Sequence, residues 1–373
     1  MKIPLSAPDV TEAEIEAVSA VLRTSRLSLG PKLEEFEEAM ARYIGTSNAI
    51  ATNSGTSGLH LCIRALGIKE RDEVIVPSFA FVAVANALRY VGATPVFVDI
   101  EPHTLNLDPS RIGEAITPRT RAIIVVHTFG FPAALAEILE IARRHQLFVI
   151  EDACEAIGAE YDGRKVGSFG DASVFGFYPN KQITTGEGGV IVTNNLKIAT
   201  LAKKLRNQGR SATGEWLEHE ELGYNYRISE MNCALGIEQL KRIEPILERR
   251  QGVAHEYQQR LANHPDFELP PIMLRRCRIS WFVYVIRFCG ESPSRRDRVL
   301  EEMASRGIAC GRYFAPIHLQ PAYRTELHRS MDLTQTEFIA RRTLALPFFN
   351  RITNGQIAEV CQTLQEVLRK IQA

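Results

Sequence analysis

Apolar positions along this chain recur with two spacings, and the two take turns. Thr11 to Arg23 carries apolar residues at helical spacing, opened by Thr11 with Glu14 three positions on, the signature of a capping box. Strand-length apolar runs then alternate with helical stretches. Glu73 to Val76, Pro95 to Val98, Ala122 to Val126 and Phe148 to Ile150 read as strands, and Val82 to Tyr90 and Leu135 to Arg144 as helices. Such alternation predicts an α/β fold, a mainly parallel sheet with helices on both faces. Further on, Leu196 to Arg206 is helical and Asn207 to Tyr226 is a polar, aromatic loop. From about Met231 a long helical pattern leads to a strand at Trp281 to Phe288 and helices at Arg295 to Arg306 and Asn354 to Gln372. The expected division is a large domain over 1–230 and a small α+β domain over 231–373.

Composition narrows the function. A chain of 373 residues with 45% hydrophobic content can bury one large core and one small one. Its 44 basic and 44 acidic residues cancel, and pairs such as Arg249-Arg250 and Arg275-Arg276 read as solvated faces, so neither nucleic acid nor a membrane surface is indicated as a partner. Seven cysteines, an odd number without metal-ligand spacing, with Cys62, Cys154 and Cys233 in apolar surroundings, point to reduced thiols in a cytoplasmic protein and to no metal. No signal peptide and no bilayer-length apolar run is present.

Three segments carry the chemistry. In Phe175 to Gly189 a single lysine, Lys181, sits in a glycine-rich turn between two short apolar runs. An amine withdrawn from water there has its pKa lowered from roughly 10.4 and can attack a carbonyl. A solvated loop lysine is the plainer reading of this segment on its own. In Leu147 to Glu155 an apolar run ends in two carboxylates, as a central parallel strand does at the sheet edge where ligands of α/β folds bind. Asp152 placed under a pyridine nitrogen would keep that ring protonated; capping the following turn is the competing role. Glu151 alternates to the other side and reads as structural. In Ile50 to Gly58, small polar residues and glycines open a helix, which makes an anion site from free N–H groups and the Thr56 and Ser57 hydroxyls, or an ordinary N-cap. There is no Walker lysine and no dinucleotide fingerprint here, which disfavours an NAD-dependent oxidoreductase.

Together these segments resemble the DegT/DnrJ/StrS family of nucleotide-sugar aminotransferases within the fold-type I pyridoxal-phosphate enzymes. The resemblance extends through Asp72 to Phe81, Val91 to Asp99, Gly163 to Asp171, Gly223 to Ser229 and His318 to Tyr323. It implies a mainly parallel seven-stranded sheet and pyridoxal 5'-phosphate as cofactor. Lys181 is implied as Schiff-base lysine and proton shuttle, Asp152 as partner of the pyridinium, Glu155 as neighbour of the phenolic oxygen, and Phe81 as the residue lying on the ring. Gly55 and Thr56 would hold the phosphate, and Asn225 would reach it from a second subunit, making a homodimer with shared active sites. Many relatives carry serine where this chain has Gly176, so a hydroxyl contact is missing or comes from a neighbour such as Ser173. Glutamine is frequent at Glu155, and a carboxylate facing a phenolate repels unless one of them holds a proton.

The implied partners are L-glutamate as donor and a nucleotide-linked keto sugar as acceptor, on a route to surface polysaccharide or a glycosylated metabolite. Thr184 to Gly189 is similar to the branch acting on 4-keto sugars; a 3-keto sugar or cyclitol aminotransferase is the alternative. Members that dehydrate the sugar resemble this chain with histidine at the lysine position, and here the residue is Lys181. A non-catalytic binding or regulatory protein on the same fold is a further alternative, against which Lys181 and Asp152 argue. Trp216, His219, Tyr224 and Tyr226 are candidate substrate-recognition residues, as are Tyr313 and His318.

Overall fold

In the computed structural model, which describes residues 2–211, 218–290, 293–324 and 328–372, every strand-length run becomes a strand. β1 (Asn48–Thr52), β2 (Glu73–Pro77), β3 (Thr94–Val98), β4 (Thr120–Val126) and β5 (Phe148–Asp152) are followed by the short pieces β6 (Glu160–Tyr161) and β7 (Arg164–Lys165). Next come β8 (Ala172–Gly176) and β9 (Gly189–Thr193), then β10 (Phe267–Glu268), β11 (Cys277–Arg278), β12 (Tyr284–Phe288), β13 (Arg329–Ser330) and β14 (Thr343–Leu346). The helices of the first half are α1 (Glu12–Leu22), α2 (Pro31–Ile44), α3 (Gly55–Ala65), α4 (Ala83–Arg89), α5 (Pro109–Ala115), α6 (Leu135–His145) and α7 (Leu196–Arg206). The second half adds α8 (Glu230–Lys241), α9 (Ile243–Leu261), α10 (Pro293–Ser305), α11 (Thr334–Ala340) and α12 (Asn354–Gln372).

The main sheet has the order β1-β9-β8-β5-β4-β2-β3-β13 and is parallel except for β9. It holds eight strands, not the expected seven. The extra one is β13, whose Arg329 and Ser330 pair with Val96 and Phe97 at the edge, too short to show a periodicity. Between β1 and β5 each strand returns through a helix, as parallel pairing requires. Consecutive strand residues face opposite cores: Val74, Val76, Ile124, Ile150 and Val174 pack under α3, α4 and α7, while Ile75, Ile123, Val125, Val149 and Phe175 pack under α2, α6 and α8. Each such side chain contributes roughly 1.5–3 kcal/mol of burial, which fixes the register, since a one-residue slip would exchange the two faces.

Two expected elements end differently. The long helix from Met231 breaks at Arg242 into α8 and α9, because Pro245 has no N–H and its ring would collide with the carbonyl of Lys241 in a continuous helix. The strand expected from Trp281 begins at Tyr284, since Trp281 has φ +48° and the N–H groups of Ser280 and Phe282 bond instead to Gly130 and Phe129. The boundary expected at 230/231 falls where α8 starts, yet Cys233, Ile237 and Leu240 of α8 and Ile243, Ile246 and Leu247 of α9 pack into the main core. Packing passes to the second core at Val253 and Tyr257, which join Trp281, Tyr284 and Phe348 over the antiparallel sheet β10-β12-β14. The two cores thus share α9.

Candidate active site

The lysine turn is a braced hairpin between the antiparallel strands β8 and β9. Phe177 exchanges hydrogen bonds with the far arm, its N–H donating to Gly188 O at 3.0 Å and its carbonyl accepting from Thr185 N at 3.0 Å and Thr184 Oγ1 at 2.9 Å. Asn232 of α8 donates to the carbonyl of Glu187 at 3.0 Å and also to that of Thr185. Gly186, at φ +80°, makes the reversal that a side chain would strain. Lys181 thus leaves a fixed backbone. Its Nζ lies 3.9 Å over the ring centroid of Phe282 and 3.5 Å from Glu155 Oε1, with its side chain 14% exposed. A solvated loop lysine would show none of these contacts.

β5 and the turn that follows it deliver three acids into three environments. Glu151 points away from the lysine, is fully buried, and accepts from the N–H groups of Gly167, Phe169 and Gly170 at 2.7, 2.8 and 2.7 Å. His127 Nε2 completes the set at 3.0 Å; its Nδ1 accepts from Ala133 N, so the ring proton is on Nε2. Burial opposes the charge, but His127 and the backbone donors hold the carboxyl below the ordinary range. Asp152, at the strand end, accepts from Cys154 N at 3.1 Å, so it does brace the following turn as well as facing the site. Glu155 is buried, with Oε2 accepting from Phe129 N at 2.9 Å. Burial, reinforced by the Asp152 charge, raises its pKa against the pull of Lys181 and the Phe129 N–H.

Cys154 joins these groups to the helix that opens at Gly55. Its thiol packs against the apolar core as expected and also feels the charges of Asp152, Lys181 and Glu155; burial first, then Asp152, raises its pKa. A Cβ on Gly55 would lie 2.9 Å from Cys154 Sγ, and one on Gly176 would lie 3.2 Å from both Cβ and Sγ. A Cβ on Gly189 would lie 2.5 Å from the backbone of Ser54. The first turn of α3 is therefore held directly against the ends of β8 and β9. Ser54 caps it by accepting from Ser57 N at 3.1 Å, leaving the Gly55 and Thr56 N–H groups in the first turn, ahead of any intrahelical acceptor.

The remaining expected residues divide. Phe81, 62% exposed just beyond β2, presents an aromatic face at the carboxyl edge of the sheet. Tyr313 belongs to the wall around the lysine, with ring centroids 6.2 Å from Phe282 and 6.1 Å from Phe129; burial and then the charge of Glu155 raise its pKa. Ser173 is not a substitute phosphate donor: it is fully buried and its hydroxyl donates to Glu151 Oε1 at 3.1 Å, on the other side of the strand. His318 is engaged at both ring nitrogens, Nδ1 with Ser78 Oγ at 2.7 Å and Nε2 with Glu337 Oε1 at 3.3 Å, which leaves neither for a substrate. Asn225 is exposed, and its carbonyl lies 3.5 Å from Asn53 Nδ2, beside the α3 turn. Tyr224 and Tyr226 stack on each other at 5.0 Å and against His60, and His219 Nδ1 contacts Gln208 O at 2.7 Å. Trp216 lies outside the described residues.

Phe282, Gln182 and Asn180 were not legible as site residues. Phe282 comes from the strand region of the smaller core; Gln182 ties the hairpin to Glu155 O at 2.6 Å and to Ser280 Oγ at 3.0 Å. Asn180 Oδ1 is buried without a protein partner beside Tyr313, a group that awaits a donor. This donor set fits a flat phosphorylated aldehyde: a half-buried amine, an acid at a strand end, an exposed aromatic face and a helix N-terminus. Among the described residues no cluster of three or more His, Cys, Asp or Glu is arranged for a metal, and no helix is long and apolar enough to cross a membrane.

Known proteins share both sequence and architecture. The model of the DegT/DnrJ/EryC1/StrS aminotransferase family matches residues 8–365. GDP-perosamine synthase of Caulobacter vibrioides is 40% identical over 369 residues, covering 98% of each chain. DesV of S. venezuelae, solved in complex with a ketimine intermediate, superposes with a TM-score of 0.90 at 36% identity over 98% of each chain. The PLP form of the sugar aminotransferase Spr1654 from Streptococcus pneumoniae superposes with a TM-score of 0.94 at 27% identity, covering 100% of both. A match of this extent, on a chain whose hairpin lysine is half-buried against Glu155, means that the protein belongs to the DegT/DnrJ/EryC1/StrS aminotransferase family.

Proposed function

We propose that this protein uses pyridoxal 5'-phosphate to move an amino group from L-glutamate to a keto carbon, C4, of a nucleotide-linked deoxy sugar. The observation that carries the reading is Lys181 Nζ, fixed between the Glu155 carboxylate and the Phe282 ring at the carboxyl edge of the sheet. The cofactor, when bound, supplies the conjugated ring that accepts the electron pair left when a substrate C–H bond ionises. Lys181 would hold the cofactor at its carbonyl carbon and, as a free amine, would take the proton from the substrate carbon. Asp152 would hold the proton on the ring nitrogen, Phe81 would cover one ring face, and the Gly55 and Thr56 N–H groups would receive the phosphate. Asn225, exposed beside that turn, would donate to a phosphate in a second subunit. The choice of C4 rests on the Thr184 to Gly189 loop and on the likeness to a protein named GDP-perosamine synthase.

The test has two parts. The purified protein should absorb as an imine of pyridoxal phosphate, and borohydride should fix the cofactor on Lys181, as peptide mass spectrometry would show. Incubation with glutamate and a panel of 4-keto and 3-keto nucleotide sugars should give a mass gain in the 4-keto members. Cofactor trapped at another lysine, or undiminished turnover in Lys181→Ala, would overturn the reading; exclusive conversion of 3-keto sugars would overturn the position alone.

A further inference from the structure

Glu155 is the one acid of the site whose charge depends on the lysine. Asp152 and Glu155 are both buried and each has one backbone donor, Cys154 N at 3.1 Å for Asp152 and Phe129 N at 2.9 Å for Glu155, but Glu155 also meets Lys181 Nζ at 3.5 Å. The other titratable groups facing it are Asp152, an anion that disfavours a second one, and Cys154 and Tyr313, whose own pKa values are raised so that both are neutral at pH 7. Lys181 Nζ and a single N–H thus pull this carboxyl down against the burial and the Asp152 charge that push it up. Pyridoxal phosphate carries its anionic ring oxygen on the carbon next to the one bearing the carbonyl. A group beside the lysine nitrogen is therefore beside that oxygen as well.

We propose that Glu155 takes up a proton from solvent when pyridoxal phosphate condenses with Lys181, and then donates it as a hydrogen bond to the ring oxygen. The inference rests on the cofactor reading above. In the condensation, Nζ bonds to the carbonyl carbon and the carbonyl oxygen leaves as water with two of the ammonium protons, while the third stays on nitrogen. That step by itself exchanges no proton with solvent. It does turn the cation toward the ring oxygen and bring an anion to the carboxylate, and the carboxylate answers by becoming Glu155–COOH, with one solvent proton consumed. A glutamine at this position would donate through its amide without any proton change.

Calorimetric titration of pyridoxal phosphate into the cofactor-stripped, full-length protein, repeated in buffers of different ionisation enthalpy at one pH, counts the protons exchanged. Wild type should take up about one proton per site more than Glu155→Gln. Equal counts in the two, with both binding, would refute the proposal. Should Glu155→Gln fail to bind, infrared difference spectra of wild type alone decide: cofactor binding should raise the carbonyl band of a protonated carboxyl, and its absence would refute the proposal equally. Borohydride trapping on Lys181 in the same samples separates the two claims, since cofactor bound elsewhere removes the functional reading and this inference with it, whereas trapping on Lys181 without the proton removes the inference alone.

Discussion

Replacing Glu151 with alanine should loosen the segment behind the site by a computable amount. The carboxylate satisfies three backbone donors, Gly167, Phe169 and Gly170, besides Ser173 Oγ and His127 Nε2. Each buried N–H left without an acceptor costs about 1–3 kcal/mol, so the three peptide groups alone represent about 3–9 kcal/mol. Water entering the space recovers part of this, so the low end, about 3 kcal/mol, is the loss expected. A chain of 373 residues with two hydrophobic cores does not give one well-defined unfolding free energy, so the readout should be local. Hydrogen exchange of residues 163–173 should quicken by roughly 150-fold or more, the equivalent of about 3 kcal/mol in the opening equilibrium. Glu151→Gln should lose less, and differently: its oxygen can still serve Phe169 and Gly170, while its NH2 faces the Gly167 N–H and the His127 Nε2 proton, so protection should fall at Gly167 alone. Because the folded pKa of Glu151 is depressed, its stabilisation is present above the unfolded value and is lost as pH falls through the folded one. The gap between wild type and Glu151→Gln should accordingly begin to narrow only below about pH 4.3 and close as pH falls through the lower folded value. Exchange in Glu151→Ala within tenfold of wild type across 163–173 at pH 7 would show that these hydrogen bonds do not hold the segment.

Two further outcomes test the phosphate end. Gly176→Ser should weaken pyridoxal phosphate binding, since its Cβ would press on Cys154 at 3.2 Å and overpacking costs about 1–3 kcal/mol; Cys154→Ala in the same chain should restore affinity, and an unimproved double variant, measured by equilibrium dialysis, would show that the two do not compete for one space. Mixing Lys181→Ala and Asn225→Ala subunits should recover part of the transamination activity, because a shared site places both defects together and leaves a second site intact; confirmed heterodimers without recovery would place Asn225 in its own chain's site, beside Asn53.

What the sequence disclosed and what it hid follow one rule. Runs such as Val74 to Val76 and Ile123 to Val125 were readable because both faces of the sheet are covered, so apolarity is continuous and length separates strand from helix. Asp152 was readable as a candidate because it ends β5 at the sheet edge where ligands of α/β folds bind, and Lys181 because it sits in a glycine-rich turn between two short apolar runs. Phe282, Gln182 and Cys154 were not, because their roles come from contacts across long stretches of chain: Phe282 reaches Lys181 only after Ser280 and Phe282 bond the Phe129–Gly130 turn, and that turn also supplies the N–H that holds Glu155. Ser173 and His318 misled for the same reason, since a hydroxyl or imidazole shows its partner only in three dimensions, and these face Glu151 and the Ser78–Glu337 pair. The turn at Phe129 is consequently where the smaller core meets the chemistry. One N–H from it holds the acid beside the lysine, and one carbonyl from it places the ring under that lysine's amine, so a shift of this turn would move both at once.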